Sequence, residues 1–191
     1  MSHRRRSLIE GQPVTDRSRV PSGLRRFCPD HHVRSVAEID PLHLREAGIE
    51  AILLDLDNTL VAWKGHEIPD STREWVQKCK EAGLKLCLVS NTRNAPRLEA
   101  LSQELDVPYV RAKMKPSRQG FMRALERLQV KPEHAVMVGD QLFTDVWGAN
   151  RMGMRSIWVE RIHPREFVGT RVSRMVERIL LRWLRKAWEE G

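Results

Sequence analysis

The stretch Ile52-Leu53-Leu54-Asp55-Leu56-Asp57-Asn58-Thr59-Leu60-Val61 limits what this chain can become more than any other. A short continuous apolar run such as Ala51 to Leu54 reads as a parallel strand buried on both faces. It ends in two carboxylates two residues apart. At the mouth of a buried strand both can stay ionised only if something cationic sits between them, because like charges at close range raise one another's pKa. A divalent metal is the obvious compensation, and an acidic turn without a task accounts poorly for the pattern.

The rest of the chain supplies the companions such a strand needs. Leu84 to Ser90, Pro108 to Val110, Ala135 to Gly139 and Arg155 to Val159 read as four further strands. Between them lie helical stretches: one opened by a capping box at Ser71-Thr72-Arg73-Glu74 and closed by Gly83, one over Asn94 to Leu105, one from Pro116 to about Leu128, and one over Thr144 to Met152 stopped by Gly153. A short helix after Asp40-Pro41 precedes the first strand. Strands alternating with helices of this length mean βαβ units and a parallel sheet covered on both faces. In such a sheet ligands bind beyond the carboxyl ends of the strands, where the strand order reverses. Asp55, Ser90 and Asp140 all fall at such ends.

These residues also carry a resemblance. Asp55-Leu56-Asp57-Asn58-Thr59 resembles the first motif, DxDxT, of the haloacid dehalogenase (HAD) superfamily of phosphatases. Ser90-Asn91 resembles the second motif, Lys115-Pro116 the third, and Gly139-Asp140-Gln141-Leu142-Phe143-Thr144-Asp145 the fourth, GDxxxxD. With Leu24 to Pro29 and Val33 to Asp40 added, the span is similar to the small class IIIA phosphatases of the YqeG type, which are related to phosphatidylglycerophosphate phosphatases. The resemblance implies an α/β fold, a HAD-like Rossmannoid three-layer sandwich whose parallel five-stranded sheet has the order 3-2-1-4-5, with no cap domain.

It implies roles as well. Asp55 would be the nucleophile, and Asp57 the general acid and then base, with its backbone carbonyl on a metal. Asp55, Asp57, Asp140 and Asp145 form the implied metal set, Asp145 behind the direct ligands or through water; Asp145 read without the resemblance equally suits a helix start meeting the helix dipole. Oxygen-only ligands beside a substrate phosphate point to Mg²⁺. Ser90 and Asn91 would hold phosphate oxygens, and Lys115 would neutralise phosphate and nucleophile together. Lys113 is a rival for that role; Pro116 favours Lys115, and the choice stays open.

The implied activity is Mg²⁺-dependent hydrolysis of a phosphate monoester through an aspartyl-phosphate, with phosphatidylglycerophosphate converted to phosphatidylglycerol in phospholipid biosynthesis. A phosphatase of a nucleic-acid end or a soluble phosphoester is one alternative. A non-enzymatic scaffold binding ribosomal or other RNA is another, and intact Asp55 and Asp57 argue against it. About 25 residues separate Thr59 from the second strand, and a similar number separate Ser90 from Lys115. Neither gap holds a cap domain, so the site should be open, which suits a phosphate on something large or on a surface.

Charge is uneven along the chain. Residues 1–34 carry eight basic and three acidic side chains and residues 155–191 nine and five, while the middle is nearly balanced. Residues 1–23, polar, Arg-rich and broken by Pro13, Pro21 and Gly23, read as a flexible basic leader without regular structure. Residues 24–160 form the expected catalytic domain. Residues 161–191 form a basic amphipathic helix, with apolar positions at 172, 175, 176, 179, 180, 183, 184 and 187. Such a helix suits a peripheral membrane contact, and equally packing on the sheet or on a second subunit. No stretch reaches the run of about 18 apolar residues that spans a bilayer. Without an apolar signal-peptide core, and with Cys28, Cys79 and Cys87 at no metal-like spacing, a cytoplasmic chain with reduced thiols is expected. Trp63 and His66 read as packed or exposed, His31-His32 as a solvated pair, and Trp147 and Trp158 as core.

Overall fold

The computed structural model describes residues 6–112, 115–162 and 180–181. Among them, six strands form one all-parallel sheet: β1 (His31–Val33), β2 (Ala51–Leu54), β3 (Lys85–Ser90), β4 (Tyr109–Arg111), β5 (Ala135–Gly139) and β6 (Arg155–Val159). Their spatial order is β1-β6-β5-β2-β3-β4. The connections carry α1 (Pro41–Glu46), α2 (Asp70–Glu81), α3 (Ala95–Leu105), α4 (Arg118–Leu128) and α5 (Trp147–Met152). The five strands read from the sequence stand in the expected order, and β1 extends the sheet by one at the β6 edge.

β2 takes the centre because all four of its side chains are apolar and none is exposed. Successive side chains of a strand point to opposite faces, so β2 feeds two cores. Ile52 and Leu54 join Trp75, Val76 and Cys79 of α2 and Leu98, Leu101 and Leu105 of α3. Ala51 and Leu53 join Phe121, Ala124 and Leu125 of α4 and Ala149 of α5. The result is helix on sheet on helix. Fully burying a Leu, Ile or Phe contributes about 1.5–3 kcal/mol, so a residue set that fills both faces of the sheet outweighs the weak local helix signals.

Register then delivers the site. Leu54 pairs with Leu88 on one side and Val138 on the other. Asp55 therefore emerges at the same edge as Ser90 and Asp140, one step further along their strands. The chain between Thr59 and β3 is used up by a loop and α2, and that between Ser90 and Lys115 includes α3 and β4.

Several boundaries differ from the sequence reading. Residues 6–23 are packed on the domain: Leu8 and Ile9 are buried in the core beside Val33 and Val36, and Arg17–Arg19 and Ser22–Phe27 are short 3-10 turns. Apolar pairs spaced among arginines hid that anchoring. The capping box at Ser71–Glu74 does not form; α2 starts at Asp70 behind Pro69, whose carbonyl accepts from the N–H groups of Thr72 and Arg73. α4 starts at Arg118 rather than Pro116, and the helix expected over 144–152 is split into a π-helical turn at Leu142–Val146 followed by α5. His31 and His32 are not a solvated pair. His31 lies in β1 and is 2% exposed, its Nε2 accepting the Leu8 N–H at 3.0 Å, and His32 stacks on Trp158.

Cys28, Cys79 and Cys87 are free and buried, and burial pushes their thiols up to about 11, 12 and 12. Among the described residues no helix is long and apolar enough to cross a membrane. Of the expected C-terminal helix only Leu180 and Leu181 are described; Lys113 and the remaining positions beyond Ile162 lie outside. Leu180 is buried in a third cluster with Val20, Cys28, Leu142, Val146 and Trp158.

Candidate active site

The site assembles where β2, β3 and β5 end. Asp55 continues the sheet, its N–H donating to the Val138 carbonyl at 2.9 Å. The chain then turns sharply: the Asn58 N–H donates to Val61 O at 2.7 Å, and Asn58 takes φ 65°, a left-handed conformation that Asn tolerates better than most residues. At the end of β3, Ser90 is 2% exposed and its Oγ accepts the Thr92 N–H at 3.1 Å.

After β5, the π-helical turn changes where the fourth motif points. π-turns are rare and concentrate at functional sites. Here the N–H groups of Asp145 and Val146 both donate to the Gln141 carbonyl, at 3.0 and 3.3 Å. Asp145 is thereby folded back over Gly139, and a Cβ on Gly139 would collide with the Asp145 carboxylate. The indole N–H of Trp158 donates to the Asp140 carbonyl at 2.8 Å, holding the start of the same turn.

Lys115 is the hub. It is 5% exposed, and its Nζ donates to Asp55 Oδ1 and, at 2.7 Å, to Asp145 Oδ1. Burial alone would lower the ammonium; the charges of Asp145 and Asp55, and the hydrogen bonds to both, hold it above the ordinary lysine value. It therefore stays charged. Burial pushes the Asp55 carboxyl up to about 7 against the pull of Lys115, with Asp145 and Asp57 adding to the push. The chain also pins the lysine from behind, since its N–H donates to Asn91 Oδ1 at 2.7 Å.

Oxygen atoms of Asp55, Asp140 and Asp145, all buried, lie within 4.8 Å of one another. Three converging carboxylates with no nitrogen or sulfur donor fit a hard divalent cation. In front of them opens a cleft of about 790 Å³, lined among others by Asp57, Trp63, Lys64, His66, Ser90, Asn91, Arg93 and Arg97. A ligand there meets the carboxylate of Asp57 and the polar side chains of Ser90 and Asn91 beside the basic side chains of Lys64, Arg93 and Arg97.

The haloacid dehalogenase-like hydrolase family model matches residues 34–153. This chain belongs to that family. The HAD chain is 38% identical to "Probable phosphatase YqeG" of Bacillus subtilis (strain 168) over 168 residues, 86% of this chain and 97% of that one. It is 27% identical to phosphatidylglycerophosphate phosphatase 1, chloroplastic/mitochondrial, of Arabidopsis thaliana, over 85% of this chain and 50% of that one, so it spans half the length of that relative. With the mitochondrial phosphatidylglycerophosphatase GEP4 of Saccharomyces cerevisiae (strain ATCC 204508 / S288c) it shares 29% identity, over 62% of this chain and 69% of the yeast protein. Family and relatives together support an enzyme of the phosphatase type.

Within the HAD site, the residues singled out from sequence gather as a group. Asp57 is not part of the carboxylate cluster; its side chain turns into the cleft wall. Asn91 offers its side chain to the Lys115 backbone, a tether that sequence alone did not suggest. Asp145 bonds Lys115 directly instead of simply capping a helix. Trp63 and His66, expected to be packed or exposed, line the cleft, with the Lys64 ammonium 4.5 Å above the Trp63 ring. Trp158 is buried, whereas Trp147 is half-buried and meets Phe27 edge-on at 5.4 Å.

Sequence reasoning also missed Arg97. It is 4% exposed and reaches Asp57 with both terminal nitrogens, at 3.2 and 2.9 Å. A signal was available: Arg97, Leu101 and Leu105 recur every four residues, so an arginine occupies the apolar stripe of α3.

Proposed function

We propose that this HAD enzyme hydrolyses a phosphate monoester by way of an aspartyl-phosphate on Asp55. A carboxylate oxygen of Asp55 attacks phosphorus, the bond from phosphorus to the leaving oxygen breaks, and that oxygen takes a proton from Asp57. Asp57 then takes a proton from water, whose oxygen attacks phosphorus, freeing inorganic phosphate and restoring Asp55. Lys115 holds the nucleophile and offsets negative charge on the transferring group; Ser90 and the backbone at Asn91 bind its oxygens. Asp55, Asp140, Asp145 and the carbonyl of Asp57 would hold Mg²⁺, which when bound supplies further positive charge at the phosphoryl oxygens. The observation that carries this reading is the buried ammonium of Lys115 bridging Asp55, at the end of the central strand, and Asp145, in the turn after β5, with Asp140 beside them.

For the leaving group, we favour a lipid headgroup phosphate of the phosphatidylglycerophosphate kind. Two of the relatives bear that activity in their names. The cleft has no lid segment between Thr59 and β3 or between Ser90 and Lys115 among the described residues. At its mouth Lys64 and Arg93 are both exposed, and they suit the second, diester phosphate of such a headgroup.

The test is phosphate release with and without Mg²⁺ from phosphatidylglycerophosphate in mixed micelles, a 5′-phosphorylated oligonucleotide, glycerol 3-phosphate and an aryl phosphate. Turnover that needs Mg²⁺, prefers the lipid and falls by several orders of magnitude in Asp55→Asn is expected. Faster turnover of the oligonucleotide or the soluble ester defeats the lipid assignment, and near-normal Asp55→Asn activity defeats the mechanism. Absence of any turnover, with retained RNA binding, would favour a scaffold.

A further inference from the structure

The carboxylate assigned above to proton transfer is gripped by an arginine. Arg97 donates to Asp57 Oδ2 at 3.2 Å through one terminal nitrogen and to Oδ1 at 2.9 Å through the other. Its Nε donates to the Gly65 carbonyl at 2.8 Å, so the whole guanidinium edge is engaged. α3 holds it from behind: Asn94 caps the helix by accepting the Arg97 N–H at 3.1 Å. A second donor, the N–H of Lys64, reaches Asp57 Oδ1 at 2.8 Å from a residue in the left-handed conformation, φ 57°.

We infer that Arg97 is the positioning residue for Asp57, fixing which oxygen of that carboxylate exchanges the proton with the leaving group. This rests on the reading of Asp57 as proton donor and acceptor. Two parallel bonds to a planar guanidinium fix the plane of the carboxylate as well as its place, which a single bond or a lysine cannot do. The two oxygens are unequally held. Oδ1 takes two donors, at 2.9 and 2.8 Å, while Oδ2 takes one at 3.2 Å. Oδ1 is thus the anchor, and Oδ2 the atom that gives its proton to the departing alkoxide and later receives one from water. Because Gly65 follows Lys64 in the loop after the first motif, the same guanidinium fastens that loop, and with it one wall of the cleft, to α3.

A buried arginine that merely neutralised a half-buried acid would affect all substrates alike. Proton donation matters most for a poor leaving group. The measurement is therefore kcat/KM, which reports the steps up to departure of the leaving group, for an alkyl phosphate and for p-nitrophenyl phosphate, in the full chain with Mg²⁺. Arg97→Ala is expected to lower kcat/KM for the alkyl ester by about 100-fold and for the aryl ester by less than about tenfold, within the usual range of general acid catalysis. Arg97→Lys, which keeps charge and bulk but loses the fork, carries the test if the alanine variant unfolds; it should show the same ordering with a smaller loss. In the Asp57→Asn background, Arg97→Ala should add little, because the group it positions can no longer give a proton. Equal losses on both esters, or fully additive losses in the double variant, overturn the inference while leaving Asp57 in its role. Should Asp57→Asn itself lose both esters equally, the role assigned to Asp57 fails first and the inference falls with it.

Discussion

The side-chain oxygen of Asn91 accepts a 2.7 Å hydrogen bond from the backbone N–H of Lys115, so the residue after Ser90 sets where that lysine leaves its loop. Asn91→Ala removes that acceptor and leaves every charge in place. Small displacements of a positioned group are costly, and a shift of the order of 1 Å can lose about 100-fold in rate. Steady-state kinetics should show a loss of about ten- to 100-fold in kcat/KM for Asn91→Ala. Asn91→Asp, which keeps an acceptor oxygen, should retain more activity than the alanine variant.

Lys115→Met keeps an unbranched side chain of similar length and deletes the ammonium. Asp55 and Asp145 then face one another with no lysine between them. Activity should drop by about 100-fold or more, the scale seen when a preorganised electrostatic group is lost. Thermal unfolding with and without added Mg²⁺ supplies a second readout: the variant should gain more from the cation than the parent does. An equal gain would show that the cation does not offset the charge Lys115 now carries.

Gly139→Ala places a methyl group against Asp145, whose own Cβ would lie 2.8 Å away. Contacts that short force a buried side chain or the backbone to move, and such overpacking typically costs about 1–3 kcal/mol. The variant should melt lower and lose activity, because the group displaced is the one that bonds Lys115. Gly23→Ala, where the added atom meets nothing within 4 Å, is the control and should change neither.

Burial drops His31 to about 4, with Asp30 pulling it up and Arg155 and His43 pushing it further down. The unfolded side chain titrates near 6.5, so the native state binds fewer protons between the two values and loses stability as pH falls through that window. Protonation of Nε2 also removes the acceptor for the Leu8 N–H. Denaturant unfolding should show stability falling from about pH 6.5 to pH 4, by on the order of 3 kcal/mol for this group. His31→Gln, which can still accept that bond but does not titrate, should flatten the slope; an unchanged slope would assign the acid sensitivity to other groups.

What could be read in advance followed from strong local patterns. The apolar run of β2 ending in Asp55 specified both the central strand and the edge where chemistry gathers, and the same reasoning placed Ser90 and Asp140. β1 was not legible because His-His-Val contains no apolar run and pairs only along β6. The π-turn at Leu142–Val146 was read as ordinary helix, since its extra residue per turn leaves little trace in composition. Arg97 escaped because attention goes to charges outside apolar stripes, although its place on the stripe of α3 was the clue. The leader misled for the opposite reason: Leu8, Ile9 and Val20 are few among arginines, yet each finds a buried seat.

Beneath the π-turn, Leu142 and Val146 pack on Val20 and Cys28 from near the start of the chain and on Leu180 from near its end. A growing polypeptide therefore exposes the strands and the acidic motifs before it can supply Leu180 to the cluster beneath that turn. On the ribosome, the footing of this turn is completed only once Leu180 has emerged, so a chain released before that residue would carry all four motifs over an incomplete foundation.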